Sequence, residues 1–262
     1  MSTSSCIIHE TAVVSDGADI GLDVFIGPYC TIGDKVRIGR GCRLESHVVV
    51  DGPTSIGSRN RFFSFCSIGS QPQDLKFGGE ETFLNIGSDN VFREYVNINR
   101  GTSGGIGETR IGDHCFFMVN AHVAHDCILG DHVMMANAAT LGGHVTIEDY
   151  GTLGAFSGVH QFCRIGAHGW VGGYSVVTKD VLPFSKTVTP RHTKAYGVNV
   201  PGLERRGFNP EQISKIKKAF RLLLQSKLNT SQAVKAIRAQ IGGSEAETIV
   251  EFIEKSPRGI LK

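Results

Sequence analysis

The stretch ADIGLDVFIGPYCTIGDKVRIG, residues 18–39, carries an apolar residue at every sixth position. Each of these residues is followed directly by glycine; they are Ile20, Ile26, Ile32 and Ile38. A period of six matches neither the 3.6-residue turn of an α-helix nor the two-residue alternation of a strand. Short strands separated by tight corners fit it, because one apolar side chain per strand points inward and small residues let the backbone turn.

The same repeat extends far beyond this stretch in both directions. It runs without a miss from Ile8 to Ile68, resumes from Ile86 to Ile98, and continues over twelve positions from Ile111 to Val177. In a chain that is 40% hydrophobic, twelve consecutive hits would arise by chance roughly once in 10⁵ trials. We therefore predict a mainly β fold, a parallel β-helix of hexapeptide repeats whose coils of about 18 residues stack about 4.8 Å apart.

The chain leaves this lattice at two places. Continued from Ile68, the inward positions would fall on Asp74 and Glu80, and burial of two unpaired carboxylates is costly. We therefore expect an outward loop near residues 70–85. A second loop is expected near residues 99–110, where the glycine-rich segment RGTSGGIGETR shifts the register by one position.

Helical signals replace the glycine repeat after about residue 200. In NPEQISKIKKAF, Asn209 is placed as an N-cap, Pro210 at the first helical position, and Gln212 where a capping box requires it. Thr230 and Ser244 are predicted as further caps. We expect a β-helix over residues 1–190 and a small α-helical C-terminal domain over residues 191–262. Residues 204–262 carry 12 basic and 6 acidic side chains, a net +6 that the overall +2 conceals.

The composition excludes several classes of protein. The N-terminus lacks the basic and apolar regions of a signal peptide, and no window has the roughly 18 apolar residues of a membrane span. We expect a cytoplasmic protein with no membrane insertion and no nucleic-acid partner. The seven cysteines form no C-x-x-C pair, so neither a disulfide framework nor a cysteine zinc site is expected.

Histidines gather on one strip of the predicted β-helix. In NAHVAHDCILGD, residues 120–131, His122 and His125 flank the inward Val123, so both point outward. Steps of one coil place Gly143 over His125, Gln161 over Gly143, and His144 over Asp126, with His160 beside Gln161. The predicted strip, here the histidine strip, comprises His125, Asp126, Gly143, His144, His160 and Gln161.

Three interpretations of these residues stay open on spacing alone. Single outward histidines are commonly solvated surface residues. A zinc site like that of the gamma-type carbonic anhydrases is a second reading, although two histidines five apart are typical there and the pairs here are three and sixteen apart. A non-enzymatic β-helix scaffold is the third.

Several phrases are more specific than the repeat. The chain resembles the UDP-N-acetylglucosamine acyltransferases of lipid A synthesis over essentially its full length, in NAHVAHDC, GGHV, GVHQFCRIGA, QDLKFGGE, GVNVPGLERRGF and SPRGILK. The resemblance implies a left-handed β-helix and a homotrimer with clefts between subunits. It implies transfer of a 3-hydroxyacyl group from acyl carrier protein to the 3-position of the UDP-sugar, without a cofactor or metal.

The resemblance also implies roles for individual residues. His125 is expected to be the general base, Asp126 to orient it, and the Gly143 N–H to bind the thioester oxyanion. Expected contacts to substrate are Asp74 and Lys76 to the acyl donor, His122 and His144 in the site, Gly173 at the far end of the acyl groove, and His160, Gln161, Asn199 and Arg205 to the sugar nucleotide. A basic surface including Arg206, Lys217 and Arg221 is expected to dock the acidic carrier protein.

Two positions depart from the family pattern. Asn99 stands where histidine is common, and Pro201 stands where a glutamate near the nucleotide is usual. Some family members use a 3-amino analogue of the sugar, and an amine needs less help from a base than a hydroxyl does. The sequence leaves the choice between the two acceptors open.

Overall fold

A computed structural model of the protein describes residues 6–188, 197–256 and 260. The chain divides into two compact units, Met1–Thr189 and Pro190–Lys262. The boundary expected at residue 190 lies within residues 189–196, outside the described residues.

The first unit is a left-handed parallel β-helix, as the repeat and the resemblance predicted. Its short strands are, in chain order, β1 (Ile7–Ile8), β2 (Val13–Val14), β3 (Asp19–Ile20), β4 (Phe25–Ile26), β5 (Thr31–Ile32), β6 (Val36–Ile38), β7 (Arg43–Leu44), β8 (Val49–Val50), β9 (Thr54–Ile56), β10 (Arg61–Phe62), β11 (Ser67–Ser70), β12 (Phe83–Ile86), β13 (Val91–Phe92), β14 (Asn97–Asn99), β15 (Glu108–Ile111), β16 (Phe116–Phe117), β17 (His122–Val123), β18 (Ile128–Leu129), β19 (Met134–Met135), β20 (Thr140–Leu141), β21 (Thr146–Ile147), β22 (Thr152–Leu153), β23 (Gly158–Val159), β24 (Arg164–Ile165), β25 (Trp170–Val171), β26 (Val176–Val177) and β27 (Lys186–Thr187).

Every third strand joins the same parallel sheet, so the unit is a three-sided prism. Sheet A contains ten strands, β1-β4-β7-β10-β13-β16-β19-β22-β25-β27. Sheet B contains β2-β5-β8-β11-β14-β17-β20-β23-β26, and sheet C contains β3-β6-β9-β12-β15-β18-β21-β24. Away from the loops, paired residues lie one coil apart, as in Val123 with Leu141. We name each corner by the two sheets that it joins.

The core lies along the axis of the prism and is built from the inward positions of the repeat. From Ile26 to Val177 these positions are almost free of solvent exposure. Phe62, Phe92 and Phe117 stack with ring centroids 4.6 and 4.9 Å apart. Ile8, in the first described coil, is 46% exposed. An inward side chain is shielded from water only when a coil covers it on both sides. Each side chain buried in this way contributes about 1.5–3 kcal/mol to the free energy of unfolding.

Two segments leave the coil without strands. Residues 71–82 connect β11 to β12, and residues 100–107 connect β14 to β15. At most of the regular corners, by contrast, a non-glycine residue adopts a left-handed conformation, as at Asp126 with φ 59° and His144 with φ 62°. Such conformations are uncommon outside glycine. The repeated corner geometry imposes them here.

The second unit contains four helices, α1 (Val200–Arg205), α2 (Pro210–Leu224), α3 (Thr230–Gln240) and α4 (Ser244–Glu254). The predicted capping box of Asn209 and Gln212 is present at the start of α2. The predicted caps of the next two helices are wrong by one position. Asn229 caps α3 through its own box with Gln232, and Gly243 precedes α4 without a side-chain cap. The side chain of Asn229 reaches the N3 amide from outside the helix, so Thr230 becomes the first helical residue.

Burial governs the chemistry of most cysteines. Six of the seven are buried in the β-helix, and burial raises the pKa of Cys66, Cys115 and Cys127 to about 12. These thiols therefore stay protonated and unreactive at neutral pH. Within the described part of the chain, no helix has the length and apolar content to cross a bilayer.

Candidate active site

A histidine–aspartate pair occupies the B–C corner that follows β17. His125 Nδ1 lies 2.8 Å from Asp126 Oδ2, and the two side chains are 15% and 0% exposed. An ionised carboxylate can only accept a hydrogen bond, so Nδ1 carries a proton, and in the neutral imidazole Nε2 keeps its lone pair. Among the described residues Nε2 has no hydrogen-bond partner. The pair therefore presents a proton acceptor held in one orientation.

The Asp126 carboxylate is enclosed by the loop of residues 100–107. The Thr102 N–H lies 3.1 Å from both oxygens, and the Thr102 hydroxyl donates to Oδ2 at 2.7 Å. The N–H groups of Ile106 and Gly107 donate to Oδ1 at 3.0 and 3.2 Å. Burial acts to raise the pKa of Asp126, but hydrogen bonds from Thr102 and His125 outweigh it and lower the pKa below its ordinary value. Asp126 is therefore an anion at neutral pH.

Gly143 lies one coil above His125, as the repeat predicted. A Cβ at position 143 would be 2.5 Å from Cε1 and 2.7 Å from Nε2 of His125. Glycine is therefore required here for the close approach of the imidazole. In the described structure the Gly143 N–H donates to no protein acceptor, while its carbonyl accepts from Phe162 N at 3.2 Å. A free N–H beside the proton acceptor can stabilise an oxyanion.

Substitution of Gly143 by alanine is expected to lower the turnover number about 10- to 100-fold, since the methyl group displaces the imidazole from its position over the glycine. Steady-state kinetics of the expected acyl transfer check this result. Gly158→Ala is the matched control, because a Cβ there meets no atom within 4 Å. If both variants retained wild-type turnover, the close approach would have no bearing on activity.

His144 completes the group at this corner. Its ring meets the His125 ring edge-on with centroids 5.1 Å apart, and its Nδ1 lies 4.0 Å from Asp126 Oδ2. The His144 ring also stacks on the Phe162 ring, with centroids 4.5 Å apart. Phe162 is 65% exposed and was not predicted as a site residue, although it follows His144 by one coil. The exposed ring extends the surface on which a substrate would lie.

His122 lies on β17, the strand that leads to the corner. Its Nδ1 lies 2.7 Å from Asn97 Oδ1 on the neighbouring strand β14. Burial lowers the pKa of His122, so the imidazole is neutral at physiological pH. A neutral, anchored imidazole suits hydrogen bonding to a substrate better than proton storage.

The ligand atoms of His125, Asp126 and His144 lie within 4.8 Å of one another, which is close enough for a metal ion. The donor set argues against that use. Both Asp126 oxygens already accept hydrogen bonds from the 100–107 loop and His125, which leaves few lone pairs for a cation. The arrangement suits a base and its orienting anion better than a zinc centre.

The remaining members of the histidine strip are exposed. His160 Nδ1 lies 3.1 Å from the carbonyl oxygen of Gln161, and Gln161 follows one coil above Gly143. The 71–82 loop carries Asp74 and Lys76 in a local turn, where the Lys76 N–H donates to Asp74 Oδ1 at 2.9 Å. No contact links these two residues to His125 in the described structure.

Gly173 does not join the histidine strip within one chain. A Cβ at Gly173 would meet the backbone of Ala155, which places Gly173 at the A–B corner above Ala155, whereas His125 and Gly143 lie at the B–C corner. The hexad phase is the same, but Gly143 and Gly173 are not separated by a whole number of coils. The expected acyl groove that includes Gly173 therefore cannot lie on a single strip of one chain.

The other predicted binding residues belong to the second unit. Asn199 caps α1, where its Oδ1 accepts from Gly202 N at 3.3 Å, and Arg205 Nε donates to the Pro201 carbonyl at 3.1 Å. Arg206, Lys217 and Arg221 are exposed. Lys217 and Arg221 line a groove of about 180 Å³ with Phe220 and Val198.

Asn99, the first departure from the family pattern, is buried. Its Nδ2 donates to Ser70 Oγ at 3.1 Å and to the Gln71 carbonyl at 3.0 Å, so it fixes the start of the 71–82 loop. Its Oδ1 has no partner among the described residues. Asn99 therefore acts first as a structural brace in this chain.

Neither Asn97 nor Thr102 was predicted as a site residue, because the repeat does not mark a loop position or an outward strand position as functional.

The chain is similar in sequence to known acyltransferases. The profile described as Udp N-acetylglucosamine O-acyltransferase, Domain 2, matches residues 180–261, and the bacterial transferase hexapeptide profile matches residues 17–52 and 108–143. The acyl-[acyl-carrier-protein]–UDP-N-acetylglucosamine O-acyltransferase of Syntrophobacter fumaroxidans is 48% identical over 256 residues, which cover 97% of this chain and 99% of that protein. The enzyme of the same name from Thermodesulfovibrio yellowstonii is 47% identical over equal shares of both chains.

Solved structures give the same result. LpxA from Acinetobacter baumannii matches with a TM-score of 0.70 and 43% identity, over 98% of this chain and 100% of that one. The UDP-N-acetylglucosamine acyltransferase of Francisella novicida matches with a TM-score of 0.69 and 37% identity, over 97% and 94% of the two chains. With such identity over nearly its whole length, this chain belongs to the acyl-[acyl-carrier-protein]–UDP-N-acetylglucosamine O-acyltransferase family.

Proposed function

We propose that this protein transfers a 3-hydroxyacyl group from acyl carrier protein to the 3-hydroxyl of UDP-N-acetylglucosamine, the first step of lipid A synthesis. The observation that carries the proposal is the His125–Asp126 pair, in which a buried and fully hydrogen-bonded carboxylate holds an imidazole with a free Nε2. The names of the relatives supply the substrates, since those proteins are called acyl carrier protein-dependent acyltransferases of this sugar nucleotide.

The chemistry follows from the positions of these groups. His125 Nε2 accepts the proton of the sugar hydroxyl as its oxygen attacks the thioester carbon, and Asp126 stabilises the resulting imidazolium. The Gly143 N–H, which has no acceptor in the described structure, donates to the carbonyl oxygen as it becomes an oxyanion. When the carbon–sulfur bond breaks, the imidazolium returns the proton to the departing thiolate. Neither a metal nor a covalent enzyme intermediate is required.

A homotrimer reconciles the position of Gly173 with the rest of the site. Gly173 lies at the A–B corner and His125 at the B–C corner of the same prism. A threefold assembly that sets the A–B corner of one copy against the B–C corner of the next would join them in one cleft. An acyl groove formed in this way, open at Gly173, suits a long 3-hydroxyacyl chain.

Incubation of the full-length protein with 3-hydroxyacyl carrier proteins of 10, 12 and 14 carbons tests the proposal. Each donor is paired with UDP-N-acetylglucosamine and with its 3-amino analogue, and sedimentation equilibrium gives the mass of the assembly. We expect ester formation, a preference for the longer donors, and the mass of three chains. Amide formation alone would show that the acceptor is the amino sugar. The absence of transfer to either sugar would reject the proposed function. We place the reaction in the cytoplasm.

The carrier protein is proposed to dock on α2. This helix presents Lys217, Lys218 and Arg221 to solvent, and none of the three forms an ion pair among the described residues. Lys215 differs, because it pairs with Glu211 at 2.9 Å. Unpaired cations are available for an acidic partner, whereas paired ones are already partly neutralised.

Replacement of both Lys217 and Arg221 by glutamate is expected to raise the KM for the acyl carrier protein about tenfold or more and to leave the KM for the sugar nucleotide within twofold. The effect should shrink as salt is raised, because exposed charges are screened over about 8 Å at physiological ionic strength. Steady-state kinetics with each substrate varied in turn measure both values.

The matched control replaces Lys227 and Lys235 by glutamate. Both are exposed and without an ion pair in the described structure, so the control makes the same change of charge outside α2. An equal rise of donor KM in the two double variants would show that net charge, and not this surface, attracts the carrier.

A further inference from the structure

The loop of residues 100–107 has no place in the repeat, yet three of its N–H groups converge on one side chain. Thr102, Ile106 and Gly107 all donate hydrogen bonds to the Asp126 carboxylate. Gly105 lies directly against the same group, where any Cβ would overlap the carboxylate. The loop is therefore shaped around the Asp126 anion.

Thr102 makes more hydrogen bonds to the Asp126 carboxylate than any other residue of this loop. It is 4% exposed and donates twice, through its N–H and through its hydroxyl at 2.7 Å. The hydroxyl bonds Oδ2, which is the same oxygen that accepts from His125. Main-chain donors occupy Oδ1 as well. The Thr102 hydroxyl is thus the one side-chain donor of the described loop that fixes the oxygen facing the imidazole.

We propose that Thr102 is a positioning residue of the acyltransferase, which acts through Asp126 to hold the His125 imidazole in its reactive orientation. This inference rests on the proposed function, in which His125 is the base. Without the hydroxyl, Oδ2 keeps only the Thr102 N–H at 3.1 Å besides His125, so the acceptor of the imidazole is held less firmly. The imidazole then samples orientations in which Nε2 is not aligned with the sugar hydroxyl.

A second contact extends the role of the loop. The Ser103 hydroxyl donates to Glu80 at 2.6 Å, and this hydrogen bond is the main cause that lowers the pKa of Glu80 to about 2. Glu80 belongs to the 71–82 loop, which carries Asp74 and Lys76. Adjacent residues of one loop therefore contact the catalytic pair on one side and the proposed donor loop on the other.

Thr102→Val removes the hydroxyl with little change in shape, and Thr102→Ser restores it. The matched control is Thr109→Val, because the Thr109 hydroxyl is also buried but has no partner among the described residues. We expect Thr102→Val to lose about tenfold in kcat, as for loss of a hydrogen bond to a charged group, with both KM values within twofold. Thr102→Ser should recover most of the kcat, and Thr109→Val should match the wild type.

Two further measurements separate positioning from a general loss of structure. The downfield proton NMR signal of the His125 Nδ1–H should weaken or shift in Thr102→Val and return in Thr102→Ser. In a His125→Ala background, Thr102→Val should cause no additional loss. A wild-type kcat for Thr102→Val beside an inactive His125→Ala, or an undiminished tenfold loss in the His125→Ala background, would overturn the positioning role alone. A wild-type rate for His125→Ala would overturn the proposed base and this inference with it.

Discussion

Replacement of His125 by alanine is expected to lower the turnover number by about 10²–10⁴-fold, since general-base catalysis typically contributes that much. The free Nε2 is the only proton acceptor of the pair, because Asp126 is occupied by hydrogen bonds from Thr102, Ile106 and Gly107. Asp126 therefore cannot take over the role of the base. Steady-state kinetics at saturating acyl donor and sugar nucleotide measure the loss.

His132→Ala is the matched control for this substitution. His132 also lies at a corner of the prism, one position later in its turn than His125, and it is exposed and stacked between His114 and Tyr150 on the C–A corner. The two variants should have similar circular dichroism and melting temperatures, and only His125→Ala should lose activity. Turnover of His125→Ala within threefold of the wild type would reject His125 as the base.

Asp126→Asn is expected to lower turnover by about 10²–10⁴-fold, because loss of the anion removes the group that sets the tautomer of His125 and stabilises the imidazolium. It should also lower stability. An asparagine amide places N–H donors against the N–H groups of Thr102, Ile106 and Gly107, which leaves buried donors unsatisfied at a cost of about 1–3 kcal/mol. Kinetics and thermal unfolding of the same preparation measure the two effects.

Asp131→Asn is the matched control for the aspartate substitution. Asp131 is exposed, and its Oδ1 accepts a single main-chain hydrogen bond, from Asp113 N at 2.7 Å. We expect its turnover and melting temperature to stay near the wild-type values. A melting temperature of Asp126→Asn equal to that of the control would mean that the 100–107 loop does not depend on the Asp126 charge.

The six-residue repeat was sufficient to predict the β-helix and most of the histidine strip. Each strand has one inward position and three strands complete a coil. The separation of two residues in the sequence therefore gives their separation along the axis of the prism. For this reason the sequence predicted that Gly143 lies over His125 and that His144 lies over Asp126. The corner that holds Gly173 could have been predicted in the same way. Residues that share a hexad phase take equivalent places on any of the three sheets, but only residues separated by a multiple of about 18 lie at the same corner.

The contacts of the two loops and the details of helix capping became visible only in the folded structure. Thr102 meets Asp126 from more than a coil away in the chain, and Asn99 turns inward to brace Ser70. Nothing in the repeat predicts either contact, because a segment that leaves the lattice has no register to relate its residues to the coil. Its conformation depends instead on which buried donors and acceptors can be satisfied, and that is a property of the folded surroundings and not of local spacing.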